Sequence, residues 1–152
     1  MPAYTPADSG FEQRVRASFA RQGAMTLIGA RLGRVEPGVV QIELPFRADL
    51  TQQHGYFHAG MTSAIADSAG GYAGYTLFPA DSSVLTVEYK INLLAPADGE
   101  RLIATGRVRK SGRTLTVCDL EVAVVKAGSH TTCATGLQTL ICLQGKVDSP
   151  RS

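Results

Sequence analysis

Two residues near the middle of this 152-residue chain, His58 and Asp67, are of types that do acid–base chemistry. Asp67 lies inside a long segment without proline, too far from its start to serve as an N-cap. No Lys or Arg lies within four positions of it, so no helical ion pair accounts for it. A carboxylate among small apolar side chains is desolvated, which suits it to base or nucleophile chemistry. An Asp at the solvent edge of a helix explains the same pattern equally well.

The second chemical feature is the polar stretch 52–60, which leads directly into that segment. Backbone N–H groups at a helix start are unpaired and the helix dipole is positive there, which suits a developing oxyanion. On one helix, His58 and Asp67 would face opposite sides. They can serve one site only if His58 belongs to the entering loop or if two chains contribute. Alternatively, His58 is a helix-start histidine that bonds a backbone carbonyl.

The segment that positions these groups, residues 57–78, is predicted to be a helix although it contains four glycines. Each interior glycine costs roughly 1 kcal/mol relative to alanine. We therefore expect small residues here to admit close approach of a curved sheet. The glycines are Gly60, Gly70, Gly71 and Gly74.

The remaining pattern predicts one α+β domain with an antiparallel sheet. Ser9 and Glu12 have capping-box spacing for a first helix, which Gly23 is expected to end. Its arginines are expected on a solvated face rather than on a membrane surface. Predicted strands cover 25–35, 39–46, 83–94, 101–110, 113–126 and 130–143. The domain is expected over residues 9–145, with a flexible tail at 1–8 and a frayed terminus at 146–152.

The bulk composition indicates an ordinary globular protein, with 44% hydrophobic and 18% charged residues. A net charge of +2 does not indicate nucleic-acid binding, and no apolar run is long enough to predict a membrane span. The N-terminus does not have the pattern of a signal peptide, so we expect a cytoplasmic protein. Cys118, Cys133 and Cys142 lack metal-ligand spacing and are expected to be reduced, buried thiols.

Three motifs together resemble the hotdog-fold acyl-CoA thioesterases of the phenylacetate-pathway (PaaI-like) type. The first is H-A-G at 58–60 with A-D-S-A-G-G-Y-A at 66–73, where the family has H-G-G and a carboxylate nine residues after the His. The others are V-E-Y-K-I-N-L-L-A-P-A at 87–97 and G-R-V-R-K-S-G-R-T-L-T-V at 106–117. The likeness covers roughly residues 23–143. It implies a long central helix wrapped by a curved antiparallel sheet of five to six strands, plus a short N-terminal helix.

The resemblance also implies roles for individual residues. Asp67 would be the general base or nucleophile, and the Ala59 N–H, followed by Gly60, would polarise the thioester carbonyl. His58 would lie near the thioester, and Thr86 would help to hold the attacking water. Gln52 stands where the family often has Asn. The reaction implied is hydrolysis of acyl-CoA to a carboxylic acid and free CoA, without a cofactor or metal.

Basic residues flank the predicted turn at Ser111 and Gly112. With Lys110 and Arg113, this turn is expected to hold coenzyme A phosphates, or else it is a solvated hairpin tip. Lys90, on an otherwise apolar strand, is a separate candidate. The resemblance implies a homodimer or a dimer of dimers with the site between subunits. Two alternatives are a non-catalytic acyl- or aromatic-ligand binder and a hotdog dehydratase or hydratase, whose D-x-x-x-x-N-P-x-H motif is absent.

Overall fold

A six-stranded antiparallel sheet wraps around one long helix in the computed structural model, which describes residues 3–150. The strand order is β1-β2-β4-β5-β6-β3. The helices within these residues are α1 (Phe11–Ala20), α2 (Gly23–Ile28) and α3 (Ala59–Tyr75). The strands are β1 (Arg31–Glu36), β2 (Val39–Pro45), β3 (Ser82–Leu93), β4 (Arg101–Ser111), β5 (Leu115–Lys126) and β6 (Ser129–Gln144). This architecture confirms the predicted hotdog fold.

Most predicted elements lie within two residues of the observed ones. The alternating apolar pattern identified β4, β5 and β6 because one face of each packs on α3 while the other does not. The β5–β6 connection at Ala127 and Gly128 has positive φ at both positions, 48° and 77°, which matches the twist of a tight hairpin. Gly38 at the β1–β2 turn also has positive φ.

The predicted strand over 25–35 is wrong in its first half. Residues 23–28 form helix α2, whose buried side chains, Met25 and Ile28, are three positions apart. Gly29 ends α2 in the left-handed conformation at φ 79°, and β1 begins two residues later. Gly23 does follow the end of α1, as predicted, but it also opens α2. Short apolar runs of this kind do not distinguish helix from strand.

The capping box predicted at Ser9 and Glu12 is absent from the described chain. The N-cap of α1 is Gly10, without a side-chain cap, and the Gly10 N–H donates to Asp8 Oδ1 at 2.9 Å. Glu12 instead forms an ion pair with Arg16 one turn along the helix.

The terminal segments contact the domain where they are described. The Tyr4 hydroxyl donates to the Arg109 carbonyl at 3.1 Å, and Asp8 forms an ion pair with Arg14. These contacts anchor part of the segment predicted as a flexible tail, because its aromatic and acidic side chains have partners on the domain. Residues 1, 2, 151 and 152 lie outside the described residues. At the other end, Asp148 forms an ion pair with Arg21 at 2.8 Å.

Arg14 is not on a solvated face, contrary to the expectation for the α1 arginines. Its guanidinium donates to the carbonyls of Tyr75, Phe78 and Pro79 and lies 4.2 Å from the centre of the Tyr75 ring. A cation at these carbonyls stabilises the negative end of α3. Arg14 therefore joins α1 to the end of the central helix.

Helix α3 lies close to the sheet, and glycines on both elements permit this. A Cβ on Gly106 of β4 would lie 2.5 Å from the backbone carbonyl of Ala69 and the Cα of Gly70. A Cβ on Gly70 would overlap the side chains of Leu120 and Gln138. A Cβ on Gly71, by contrast, would meet nothing within 4 Å. The predicted close approach of the helix to the sheet is thus present at Gly70. It also requires a glycine on the sheet, Gly106.

All three cysteines are buried free thiols, as predicted. Burial raises the pKa of the Cys118 thiol to about 12, so this side chain is neutral. None of the helices within residues 3–150 is long and apolar enough to span a membrane.

The helix–sheet contact generates a paired prediction. Gly106→Ala should lower the free energy of unfolding by about 1–3 kcal/mol, because the new methyl group meets backbone atoms that cannot turn away. Gly71→Ala should raise it by roughly 0.5–1 kcal/mol, because it removes a helix glycine without a clash. Urea unfolding followed by circular dichroism measures both. Equal effects of the two changes would contradict the close packing described here.

Candidate functional site

The carboxylate of Asp67 is held by two side chains from the sheet. Thr86 of β3 donates its hydroxyl to Asp67 Oδ1 at 2.7 Å. Gln138 of β6 donates its amide Nε2 to the same Oδ1, also at 2.7 Å. Among the described residues, no donor lies within hydrogen-bonding distance of Oδ2. One carboxylate oxygen is therefore fixed and the other is free.

An irregularity in β3 lies beside this contact. The β3–β6 register shifts between Thr86 and Glu88, so that Val87 is an extra residue in the strand. Such bulges redirect side chains and are frequent near functional sites. Before the shift Thr86 pairs with Leu140, and after it Tyr89 pairs with Gln138. The bulge thus directly follows Thr86, the β3 residue whose side chain contacts Asp67 of α3.

Asp67 lines an open cavity of about 460 Å³ between α1, α3 and β3. A hydrogen-bonded group forms part of its wall: Tyr72 OH lies 3.1 Å from Ser18 Oγ and accepts from Gln22 Nε2 at 3.1 Å. Ser68 donates to Gln22 Oε1. Burial raises the pKa of Tyr72, so its phenol is neutral. Asp148, Ser149 and Pro150 also line the cavity.

The start of α3 carries the second group of predicted residues. His58 is the N-cap, with φ −63° and ψ 138°, and its Nδ1 accepts from the Gly60 N–H at 2.8 Å. It thus belongs to the entering loop, and its helix-start bond is to an N–H rather than to a carbonyl. Ala59 is the first helical residue, and its N–H donates to no acceptor among the described residues. Its φ is not positive, so it can present this N–H as glycine would.

Gln52 shapes the loop before the helix. Its Oε1 accepts from the backbone N–H groups of His54 and Tyr56, at 2.5 and 3.4 Å. Gln52 and Ala59 line a smaller cavity of about 160 Å³, together with Phe57, Leu93 and Cys133 among others. The free Ala59 N–H is therefore next to an apolar cavity distinct from the one at Asp67.

One chain does not bring Asp67 together with the α3 start. Ala59 and Asp67 are eight residues apart on the same helix, which places them about 12 Å apart along its axis. A single thioester group is too small to contact both. The predicted site residues therefore form two separate groups within one chain. Asp67 lies with Thr86, and Ala59 lies with Gln52 and His58.

The predicted phosphate-binding turn is exposed and partly engaged in its own hydrogen bonds. The side chains of Lys110 and Arg113 are exposed, as is Ser111. The Gly112 N–H donates to the Leu115 carbonyl at 2.9 Å, so it is not a free donor. Neighbouring Arg109 forms an ion pair with Asp119.

Lys90 is on the other face of the sheet from Asp67. It pairs with Leu137, whereas the adjacent Gln138 contacts α3, and successive side chains on a strand alternate between faces. Its ammonium donates to Asn92 Oδ1 at 2.8 Å. The structure therefore separates Lys90 from the Asp67 cavity of its own chain.

Gln138 was not anticipated by the sequence. The only available signal was a polar residue at a position of β6 whose neighbours on the same face, Ala134 and Leu140, are apolar and buried. Gln138 itself is only 1% exposed. A buried amide at such a position needs a hydrogen-bond partner, but the sequence does not reveal that this partner is Asp67.

No group of three or more His, Cys, Asp or Glu side chains is placed to hold a metal ion within residues 3–150.

Comparison with known proteins places this architecture in a family. A family model described as the thioesterase superfamily matches residues 54–133, just over half of the chain. This chain belongs to the thioesterase superfamily. The crystal structure of a thioesterase family protein from Silicibacter pomeroyi is similar to this superfamily member with a TM-score of 0.88 and 46% identity, over 90% of this chain and all of that one.

Curated relatives are more distant. An esterase-named protein of Saccharolobus solfataricus is 32% identical over 87 residues, which cover 57% of this chain and 61% of that protein. The chain thus spans less than two thirds of that relative. The PaaI protein of the E. coli phenylacetic acid degradation operon has a TM-score of 0.79 at 20% identity, over 92% of this chain and 98% of that one. At that identity the likeness concerns the fold alone.

Proposed function

We propose that this thioesterase-superfamily member hydrolyses acyl-CoA thioesters to a carboxylic acid and free CoA, as an enzyme of the phenylacetate-pathway type. The observation that carries the proposal is the Asp67 carboxylate, with one oxygen fixed by Thr86 and Gln138 and the other free beside a cavity of about 460 Å³. The motif at 58–73 and the family membership support the same chemistry.

Asp67 has the geometry of a general base or a nucleophile. As a base, Oδ2 takes a proton from water while the water oxygen bonds to the thioester carbon. As a nucleophile, Oδ2 itself bonds to that carbon and forms an anhydride, which water then opens. In both routes the carbon–sulfur bond breaks. In the base route the CoA thiolate takes the proton that Asp67 received from water, and in the anhydride route it takes a proton from the water that opens the anhydride. Thr86 and Gln138 keep the carboxylate in one orientation during either route.

The Ala59 N–H is proposed as the donor to the developing oxyanion. It is unpaired within the described chain and lies at the positive end of a 17-residue helix. Such a donor is worth about 10²–10³ in rate. His58 supports it indirectly, because its Nδ1 occupies the adjacent Gly60 N–H and fixes the first turn.

A complete site requires two chains, and β3 supports the association. β3 is an edge strand of 12 residues with apolar side chains exposed on it: Leu85 is 57%, Val87 59% and Leu93 57% exposed. A long apolar edge on a monomer is prone to pair with another chain. Leu85 and Thr86 also line the Asp67 cavity. A second copy paired along β3 would therefore lie next to Asp67 and can supply its Ala59 N–H. We propose a homodimer at least, or a dimer of dimers.

The turn at 110–113 is proposed to hold the coenzyme A phosphates. A row of paired residues runs from Thr86 through Leu140 and Thr116 to Ser111. Three strand spacings place Ser111 about 14 Å from Thr86. The pantetheine arm separates the phosphates of coenzyme A from the thioester by a long extended chain. The exposed cations of Lys110 and Arg113 suit such phosphates.

The first prediction concerns Asp67. A thiol-release assay over short, medium, long and aromatic acyl-CoAs should detect hydrolysis by the wild type. Asp67→Asn should lower kcat by about 10²–10⁴-fold, because an amide cannot take the proton or attack. Asp81→Asn, an exposed aspartate outside the cavity, is the control and should be unaffected. An inactive wild type would contradict the thioesterase function, and an active Asp67→Asn would contradict the assignment of the site.

The second prediction concerns the basic turn. The double change Lys110→Ala with Arg113→Ala should raise KM for acyl-CoA about 3–20-fold, the range expected for losing two exposed charge contacts. It should leave KM unchanged for the same acyl group on N-acetylcysteamine, which has no phosphates. Arg31→Ala with Arg34→Ala removes the same charge from β1 and serves as the control. Equal effects on both substrates would exclude a phosphate-binding role.

A further inference from the structure

Gln138 occupies an unusual position beneath the central helix. It is 1% exposed, and its Nε2 lies 2.7 Å from Asp67 Oδ1, 3.0 Å from the Asp67 carbonyl oxygen and 3.0 Å from Thr86 Oγ1. It does not line the Asp67 cavity. Gln138 thus contacts Asp67 without lining the cavity, and it lies 71 residues further along the chain.

The chemistry of these partners determines the orientation of the amide. The carboxylate and carbonyl oxygens of Asp67 only accept hydrogen bonds, so the amide nitrogen must face them. Thr86 Oγ1 accepts from Gln138 and gives its single proton to Asp67 Oδ1. The two protons of the amide nitrogen thus serve three acceptors, namely Asp67 Oδ1, the Asp67 carbonyl oxygen and Thr86 Oγ1, and both bonds to the carboxylate end on Oδ1.

We propose that Gln138 is a positioning residue that selects Oδ2 of Asp67 as the reacting oxygen. This inference rests on the proposed function. A carboxylate on a single side-chain contact can rotate and exchange its two oxygens. Donors from β3 and β6 together hold Oδ1 towards the sheet, so that Oδ2 alone is presented to the cavity. Gln138 acts through Asp67 and contacts neither substrate nor solvent.

One local feature is difficult to explain by packing alone. Gln138 Oε1 is buried and has no hydrogen-bond partner among the described residues, which is unfavourable and would be avoided by an apolar side chain. This cost is accounted for if the amide is needed by Asp67. Gly70 leaves the space for the amide, because a Cβ there would overlap Gln138 Oε1 as well as the Leu120 side chain.

The test replaces the amide by apolar side chains of similar size, in Gln138→Met and Gln138→Leu. We expect kcat for acyl-CoA to fall roughly 10–100-fold, because this is the effect expected from losing a hydrogen bond to a charged group. KM should stay within about twofold, because the cavity is unchanged. Thermal stability should be equal or higher. Leu140→Met, a buried neighbour on the same strand, is the control and should keep its kcat.

A double-mutant comparison separates positioning from packing. In the Asp67→Asn background, Gln138→Met should cause no further loss of kcat, because the group that it positions is gone. An equal loss in both backgrounds, an unchanged kcat in the single variants, or failure of both variants to fold would each overturn the positioning role. If Asp67→Asn itself remains active, the proposed function fails first. If only the Gln138 variants remain active, the proposed function stands without this inference.

Discussion

The close approach of helix α3 to the sheet is the constraint on which the candidate site depends. A methyl group on Gly106 of β4 would meet the helix backbone at Ala69 and Gly70, and a methyl group on Gly70 would overlap the side chains of Leu120 and Gln138. This proximity allows the side chains of β6 and β3 to contact a carboxylate in the middle of the helix. With a bulkier residue at Gly70, Gln138 could not lie beneath Asp67 as it does. The packing of α3 on the sheet therefore also determines the orientation of the Asp67 carboxylate.

The sequence predicted the fold well because its signals are periodic and long. Alternation along β4 to β6 and a proline-free central segment specify a sheet and a helix, whatever the tertiary details. The pattern over residues 25–28 predicts a strand where the structure has most of helix α2, because a six-residue helix has too few positions for a period to be visible. The capping box failed because the Asp8 side chain bonds the Gly10 N–H and the helix starts two residues after Ser9.

The site was predictable in part. Asp67 was identifiable because it is a carboxylate among small apolar residues with no Lys or Arg nearby. Thr86 followed from the resemblance. The structure places the two side chains in contact. Gln138 was not predictable, because a contact between residues 71 positions apart depends on the strand order and on the register of β6. The separation of Ala59 from Asp67 follows from helix geometry alone. In each proposed site, the Ala59 N–H therefore comes from a different chain than Asp67 does.

The proposed two-chain site is tested most directly by mixing two defective subunits. Ala59→Pro removes only the proposed oxyanion donor, since proline is tolerated at the first helical position and His58 already has the extended backbone that precedes proline. Each homodimer of Ala59→Pro or Asp67→Asn should be nearly inactive in thiol release. The purified heterodimer, isolated with two different tags, should recover about half of the wild-type kcat, because one of its two equivalent sites is intact. A heterodimer as inactive as its parents would contradict a site shared between chains.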